Sequence, residues 1–136
     1  MLKSLIAAFG GILTIFVLEF GGLIEGRLAP VVSPLELGAA SAAADGYTQF
    51  AGRAMKLRGC NFVRVEWSLG QRGTRNVPVS MDFLDPPTLR ATGEMHWTGL
   101  RVWLDEGTVR HHSFADVLHQ CRFRPWLVRS RFHDPG

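Results

Sequence analysis

An apolar run from Leu5 to Ile24 sets the first constraint on this chain of 136 residues. From Leu5 to Leu18 every residue is apolar or small except Thr14, and beyond Glu19 the run resumes as Phe20, Gly21, Gly22, Leu23 and Ile24. A helix of about twenty residues rises about 30 Å, the thickness of a bilayer's hydrocarbon layer. Residues 1–27 therefore read as a single transmembrane anchor. Lys3 and the terminal amine precede the run, while Glu25 and Arg27 after it cancel. The positive-inside rule then predicts a cytoplasmic N-terminus and an exported C-terminal part, the arrangement of a bacterial inner-membrane protein with a periplasmic domain. A cleaved signal peptide would share the basic start and apolar core, but cleavage needs small residues shortly after that core. The A-x-A pattern Ala42 to Ala44 comes only after Pro30 and Pro34, so the anchor is expected to stay on the chain.

A carboxylate inside such a run costs about 2.5–3.5 kcal/mol at mid-helix on insertion scales. Glu19 stands near the outer end, where that cost falls, and it is also a candidate contact for a partner helix. Ala7/Gly11 and Gly22/Gly26 are small-xxx-small pairs, which let helices approach closely. These five residues make up the expected helix-packing set. Residues 28–45 then change character: Pro30 and Pro34 bracket Val31 and Val32, and an alanine-rich tract runs from Ala39 to Ala44. Proline stops the helix and the alanines have little to bury. The stretch reads as an extended spacer with a short helix or coil, holding the next unit slightly off the membrane.

Residues 46–136 alternate with period two. Val63, Val65, Trp67 and Leu69 oppose Arg64, Glu66 and Ser68, as in a half-buried antiparallel strand. Gly70-Gln71-Arg72-Gly73 reads as a turn, and Val77, Val79, Met81 and Phe83 repeat the pattern to complete a hairpin. Pro78 predicts an edge or bulge position for that second strand, and Asp85-Pro86-Pro87 its end. Leu100, Val102 and Leu104 predict another strand before a turn at Asp105-Glu106-Gly107-Thr108. Ala115, Val117, His119 and Cys121 share a face of the next, and Trp126, Val128, Ser130 and Phe132 of the last. With a first strand over 50–58, about six strands predict a mainly β fold, a small antiparallel sandwich behind one transmembrane helix.

A core of this size benefits from a covalent staple. Cys60 and Cys121, the only cysteines, sit at the ends of predicted strands, and in an oxidising compartment such a pair is expected to form a disulfide. The rival is a metal site using Cys60, Cys121 and His119, but three ligands without CxxC or HxxxH spacing fall short of the usual four. No metal and no cofactor are expected. Two cysteines, Trp67 and strand alternation into the second cysteine resemble an immunoglobulin-like sandwich in architecture, although Trp67 follows Cys60 too soon and His119 stands where that family has its corner tyrosine. The stretch Cys-Asn-Phe-Val-Arg-Val-Glu-Trp from Cys60, with His-Gln-Cys and Arg-Pro-Trp-Leu-Val later, is similar to short anchored proteins of unknown function in proteobacteria and their prophages. That resemblance covers roughly residues 50–132 and implies no activity, only the alternative of a prophage-borne envelope modifier.

Charge is distributed unevenly. Residues 46–136 carry 13 Lys/Arg and 8 Asp/Glu, a net of +5, and residues 1–45 carry 2 and 4, a net of −2. The excess gathers around Arg122, Phe123, Arg124, Trp126, Arg129 and Arg131, a basic-aromatic patch suited to anionic lipid head groups or an acidic protein surface. An exported domain does not meet nucleic acid, so none is expected. Adjacent His111 and His112 would point to opposite sides of a strand, and His96 and His133 fall in predicted loops, so no two rings share an ion. Glu66 and Asp82 are expected to face each other across the hairpin on its polar side. With no nucleophile elbow and no phosphate loop, no catalytic residue is assigned. The expected function is that of a non-enzymatic, membrane-anchored accessory subunit docking on a protein partner or a second copy. The alternative is a small envelope enzyme or metal protein using His119, His112, Glu66 and Asp82.

Overall fold

A computed structural model describes residues 1–43, 45–85 and 91–136. The residues after the first helix form two antiparallel four-stranded sheets in contact through one core. The first helix, α1, runs Leu2–Leu28 and is long and apolar enough to cross a membrane. The strands follow as β1 (Glu36–Ala42), β2 (Thr48–Lys56), β3 (Asn61–Leu69), β4 (Val77–Val79), β5 (Met81–Phe83) and β6 (Gly93–Val102). A short helix α2 (Glu106–His112) leads to β7 (Ser113–Gln120) and β8 (Leu127–His133). Strand order is β1-β2-β6-β5 in one sheet and β4-β3-β7-β8 in the other.

The core forms where the inward side chains of both sheets meet. Phe50, Leu100 and Val102 come from one sheet, Trp67, Val117, Val128 and Phe132 from the other. The predicted faces of the last two strands hold: Ala115, Val117 and His119 on β7, and Val128, Ser130 and Phe132 on β8, are all buried. Several of the polar atoms brought inside are bonded to one another. The Trp67 indole donates to Ser113 Oγ at 2.9 Å, and that hydroxyl donates to the Val109 carbonyl at 2.7 Å. His133 stacks on Trp67, with ring centroids 5.2 Å apart. The disulfide joins Cys60 to Cys121, Cα atoms 4.5 Å apart. It links the ends of neighbouring strands β3 and β7 within one sheet, whereas the immunoglobulin bond crosses between sheets.

Several expectations need correction. The spacer over 28–45 is part of the fold: Val31, Val32 and Leu35 are buried, and Glu36–Ala42 pairs with β2 as an edge strand. Alanine is a poor strand former, but here the pairing with β2 supplies what propensity lacks. The strand over 77–83 divides at Ser80. Its first half pairs with β3 and its second with β6 in the other sheet, so among the described residues eight strands replace six. Pro78 lies on edge strand β4, as its missing N–H requires. The turn at Asp105 is a helix start, with the Asp105 carboxylate accepting from Thr108 N at 2.9 Å. Ladder register shifts between Phe62 and Arg64, which leaves Val63 exposed at 40%. Ala44 and the Pro86-Pro87 strand end lie outside the described residues.

Candidate functional site at the helix junction

The helix changes environment at one point. Every residue from Leu2 to Phe20 is exposed, and from Gly21 onward one face is covered by the sandwich. Edge strand β8 provides that cover. A Cβ placed on Gly22 would lie 1.9 Å from the Leu127 carbonyl oxygen, and one on Gly26 1.9 Å from that of Arg129. Only glycine lets the helix backbone rest on these carbonyls, so α1 shields a strand edge that would otherwise be open to pairing. A Cβ on Gly21 would meet the Trp126 indole at 2.8 Å.

Glu25 locks the seam. Its carboxylate accepts from Arg58 Nη2 at 2.7 Å, from Trp126 Nε1 at 2.7 Å and from Arg124 Nε at 3.0 Å. Arg58 also donates to the Ala29 carbonyl at 2.7 Å, closing the helix end. The Glu25 side chain is only 13% exposed, so these are charge-assisted bonds largely removed from water. Loops β2–β3 and β7–β8, tied by the disulfide, thus converge on the last turns of the helix.

Of the expected helix-packing set, Gly22 and Gly26 face the chain's own β8. Ala7, Gly11 and Glu19 lie on the bare part of the helix. The basic-aromatic patch is likewise divided. Arg124 and Trp126 hold Glu25, and Arg129 bridges Glu66 at 2.7 Å and Asp116 at 3.2 Å. Arg27, Arg72, Arg129 and Arg131 line, together with Leu23, a cleft of about 460 Å³. Arg72 there already engages Asp116, Asp134 and two carbonyls. Arg122 stacks on exposed Phe123, guanidinium carbon 4.8 Å from the ring centroid. Sequence reading found the cations but not Glu25 as their common acceptor; the signal was a carboxylate beside two of the glycines that contact β8.

The alternative catalytic set does not assemble. Glu66 on β3 is held by Arg64 and Arg129, while Asp82 on β5 pairs with Arg101 in the other sheet. The expected meeting of Glu66 and Asp82 fails because the chain changes sheets at Ser80. Burial pushes Glu66 up, but hydrogen bonds and charge from Arg64 and Arg129 outweigh it and leave the carboxyl below its ordinary value. His111 and His112 lie on α2, not on a strand, and His96 is an exposed residue of β6. His133, expected in a loop, is buried at the end of β8, and its Nε2 lies 2.8 Å from the Val109 carbonyl. His119 is 3% exposed, and burial followed by the charge of Lys56 holds its pKa down to about 4. The adjoining cavity of about 20 Å³ has room for one water and for no larger ligand. Among the described residues no group of three His, Cys, Asp or Glu is placed to hold a metal. The chain matches no protein-family model, no curated protein and no solved structure, so neither resemblance gains a family from comparison.

Proposed function

We propose that the protein is a non-enzymatic accessory subunit of the bacterial inner membrane, anchored by α1 with its β-sandwich in the periplasm, and that the sandwich docks on a protein partner. One observation carries this reading. The bare stretch from Leu2 to Phe20 rises about 28 Å, close to the hydrocarbon thickness, and the sandwich begins at the next residue. A domain attached by a glycine seam and a four-residue charge clasp cannot swivel as one on a flexible linker would. Its outer faces stand at a fixed height and angle over the bilayer, which is of use to a subunit that must meet a neighbour in one orientation. Ala7, Gly11 and Glu19, left uncovered, offer that neighbour a second contact inside the membrane.

The test has two parts. Thiol labelling in intact cells should find Cys60 and Cys121 reactive only after reduction, on an uncleaved chain; free thiols reachable only from the cytoplasm would overturn the topology. Purification in mild detergent should yield a stoichiometric complex or oligomer that a Gly26→Leu variant, expressed at equal level, fails to form. A lone monomer for the unaltered chain would refute the accessory reading.

A further inference from the structure

The β7–β8 loop, residues 121–126, holds an exposed aromatic side chain on left-handed backbone. Phe123 is 85% exposed and has φ of 61°, the only non-glycine positive φ among the described residues. Left-handed backbone at a bulky residue costs of order 1–3 kcal/mol and persists where the surroundings impose it. Here the disulfide at Cys121 and the Trp126–Glu25 bond pin the two ends of the loop and turn the ring outward.

The helix fixes where that ring lies. β8 runs from Leu127, beside Gly22, to Arg129, beside Gly26, so the bare part of α1 extends past the end of the sandwich that carries the β7–β8 loop. Trp126 rests on Gly21, directly above the bare stretch. Arg124 and Trp126 also line an apolar cleft with Phe16, Val17 and Phe20, residues of that stretch. The loop tip is therefore at the level where hydrocarbon gives way to head groups. Arg122 lies over the Phe123 ring and has no carboxylate partner among the described residues. An exposed aromatic ring beside a free guanidinium complements an interface that is apolar below and anionic at the phosphates.

We infer that the β7–β8 loop is a second membrane contact, with Phe123 inserted at the acyl boundary and Arg122 on the phosphate of an anionic phospholipid. The inference rests on α1 spanning the bilayer, and it makes the loop a lipid-binding element in its own right.

Full-length protein in vesicles of phosphatidylcholine, with or without phosphatidylglycerol, provides the test. A photoreactive benzophenone analogue of phenylalanine replaces Phe123, Phe16 or Trp103 in turn. Trp103 is exposed at the opposite end of the sandwich, just past β6, whose last residue pairs with the start of β2. Phospholipid adducts are expected at Phe16 and Phe123 and not at Trp103. The Phe123 adduct should favour phosphatidylglycerol several-fold over its share of the lipid, and an Arg122→Gln change should abolish that preference. Lipid adducts at Phe16 without any at Phe123 would overturn the loop contact and leave the anchor standing, as would a chain-to-chain adduct at Phe123. Adducts at Phe123 with no lipid preference would overturn the role of Arg122. No lipid adduct at Phe16 would overturn the membrane reading together with this one.

Discussion

Gly26→Ala adds one methyl group to the helix and has opposite expected effects depending on whether the seam with β8 exists. In a helix free of contacts the change stabilises by about 1 kcal/mol, because glycine is that much poorer than alanine as a helix former. At Gly26 the new Cβ would sit 1.9 Å from the Arg129 oxygen and 2.5 Å from its carbonyl carbon. Non-bonded heavy atoms are comfortable at about 3.5 Å, so the backbones must part by about 1.5 Å along that direction. Both atoms are main chain and no rotamer change relieves the clash. Overpacking of this kind costs about 1–3 kcal/mol, and retreat of the helix also stretches the bonds to Glu25. The net expectation is a loss of about 1–2 kcal/mol, or a fall in unfolding temperature of roughly 5–10 °C for a domain of this size. Gly11 has nothing within 4 Å of a built Cβ, so Gly11→Ala is the matched control and should be neutral or stabilising. Thermal unfolding in one detergent, followed by tryptophan fluorescence, compares the two. Equal or raised midpoints for Gly26→Ala and Gly22→Ala would refute the seam and with it the fixed orientation of the sandwich.

Removing the acceptor at the clasp by Glu25→Ala should cost about 2–3 kcal/mol, since two guanidiniums and an indole lose a largely buried partner; a red-shifted Trp126 emission would report the opening, and an unchanged spectrum and midpoint would count against it. Replacing Cys60 and Cys121 together by serine releases a loop of 61 residues and should lower the unfolding free energy by about 4 kcal/mol, read from denaturant curves of the oxidised and mutant proteins. His119 makes stability pH-dependent in a definite direction. Its folded-state pKa of about 4 lies below the ordinary 6.5, so the unfolded chain binds more protons in between, and stability should fall as pH drops from 6.5 to 4. The loss reaches about 3 kcal/mol, and His133, also held low chiefly by burial, adds in the same sense. His119→Leu should flatten most of that slope; an unaltered profile would mean the imidazole is not the buried group responsible.

The parts of this fold readable from sequence are those where one residue's chemistry decides its place. The apolar run reads as a long helix, and alternation in the sequence of β7 and β8 placed Val117, Val128 and Phe132 in the core, although β7 is in fact buried on both faces. Pro78 called for an edge or a bulge, and it lies on edge strand β4. What escaped was set by partners distant in the chain. The alanines of β1 carry no strand signal of their own, and only the register with β2 recruits them. Nothing around Ser80 marks a change of sheet, since Val79 and Met81 continue one alternating pattern through it. Asp105 was read as a turn, although its spacing to Thr108 fits an N-cap equally well. Gly22 and Gly26 were recognised as sites of close approach, but small-xxx-small spacing does not distinguish a partner helix from the edge of the chain's own sheet.

The arginines teach the same lesson for function. Read along the chain, they form a broad cationic patch near the C-terminus. In space most are bound by carboxylates of the same molecule: Arg53 by Glu36, Arg58 and Arg124 by Glu25, Arg64 and Arg129 by Glu66, Arg72 by Asp116 and Asp134, Arg101 by Asp82 and Asp45, and Arg110 by Glu106. Arg27, Arg75, Arg122 and Arg131 have no carboxylate partner among the described residues, and three of these four lie around the junction of α1 with β8. The arginine charge left unpaired among the described residues is therefore gathered along the seam of α1 with β8, with Arg122 in the loop that the proposed lipid contact uses. Contact with an anionic membrane should weaken as salt screens those three charges, whereas a protein docked on the neutralised outer faces of the sheets should be retained under the same conditions.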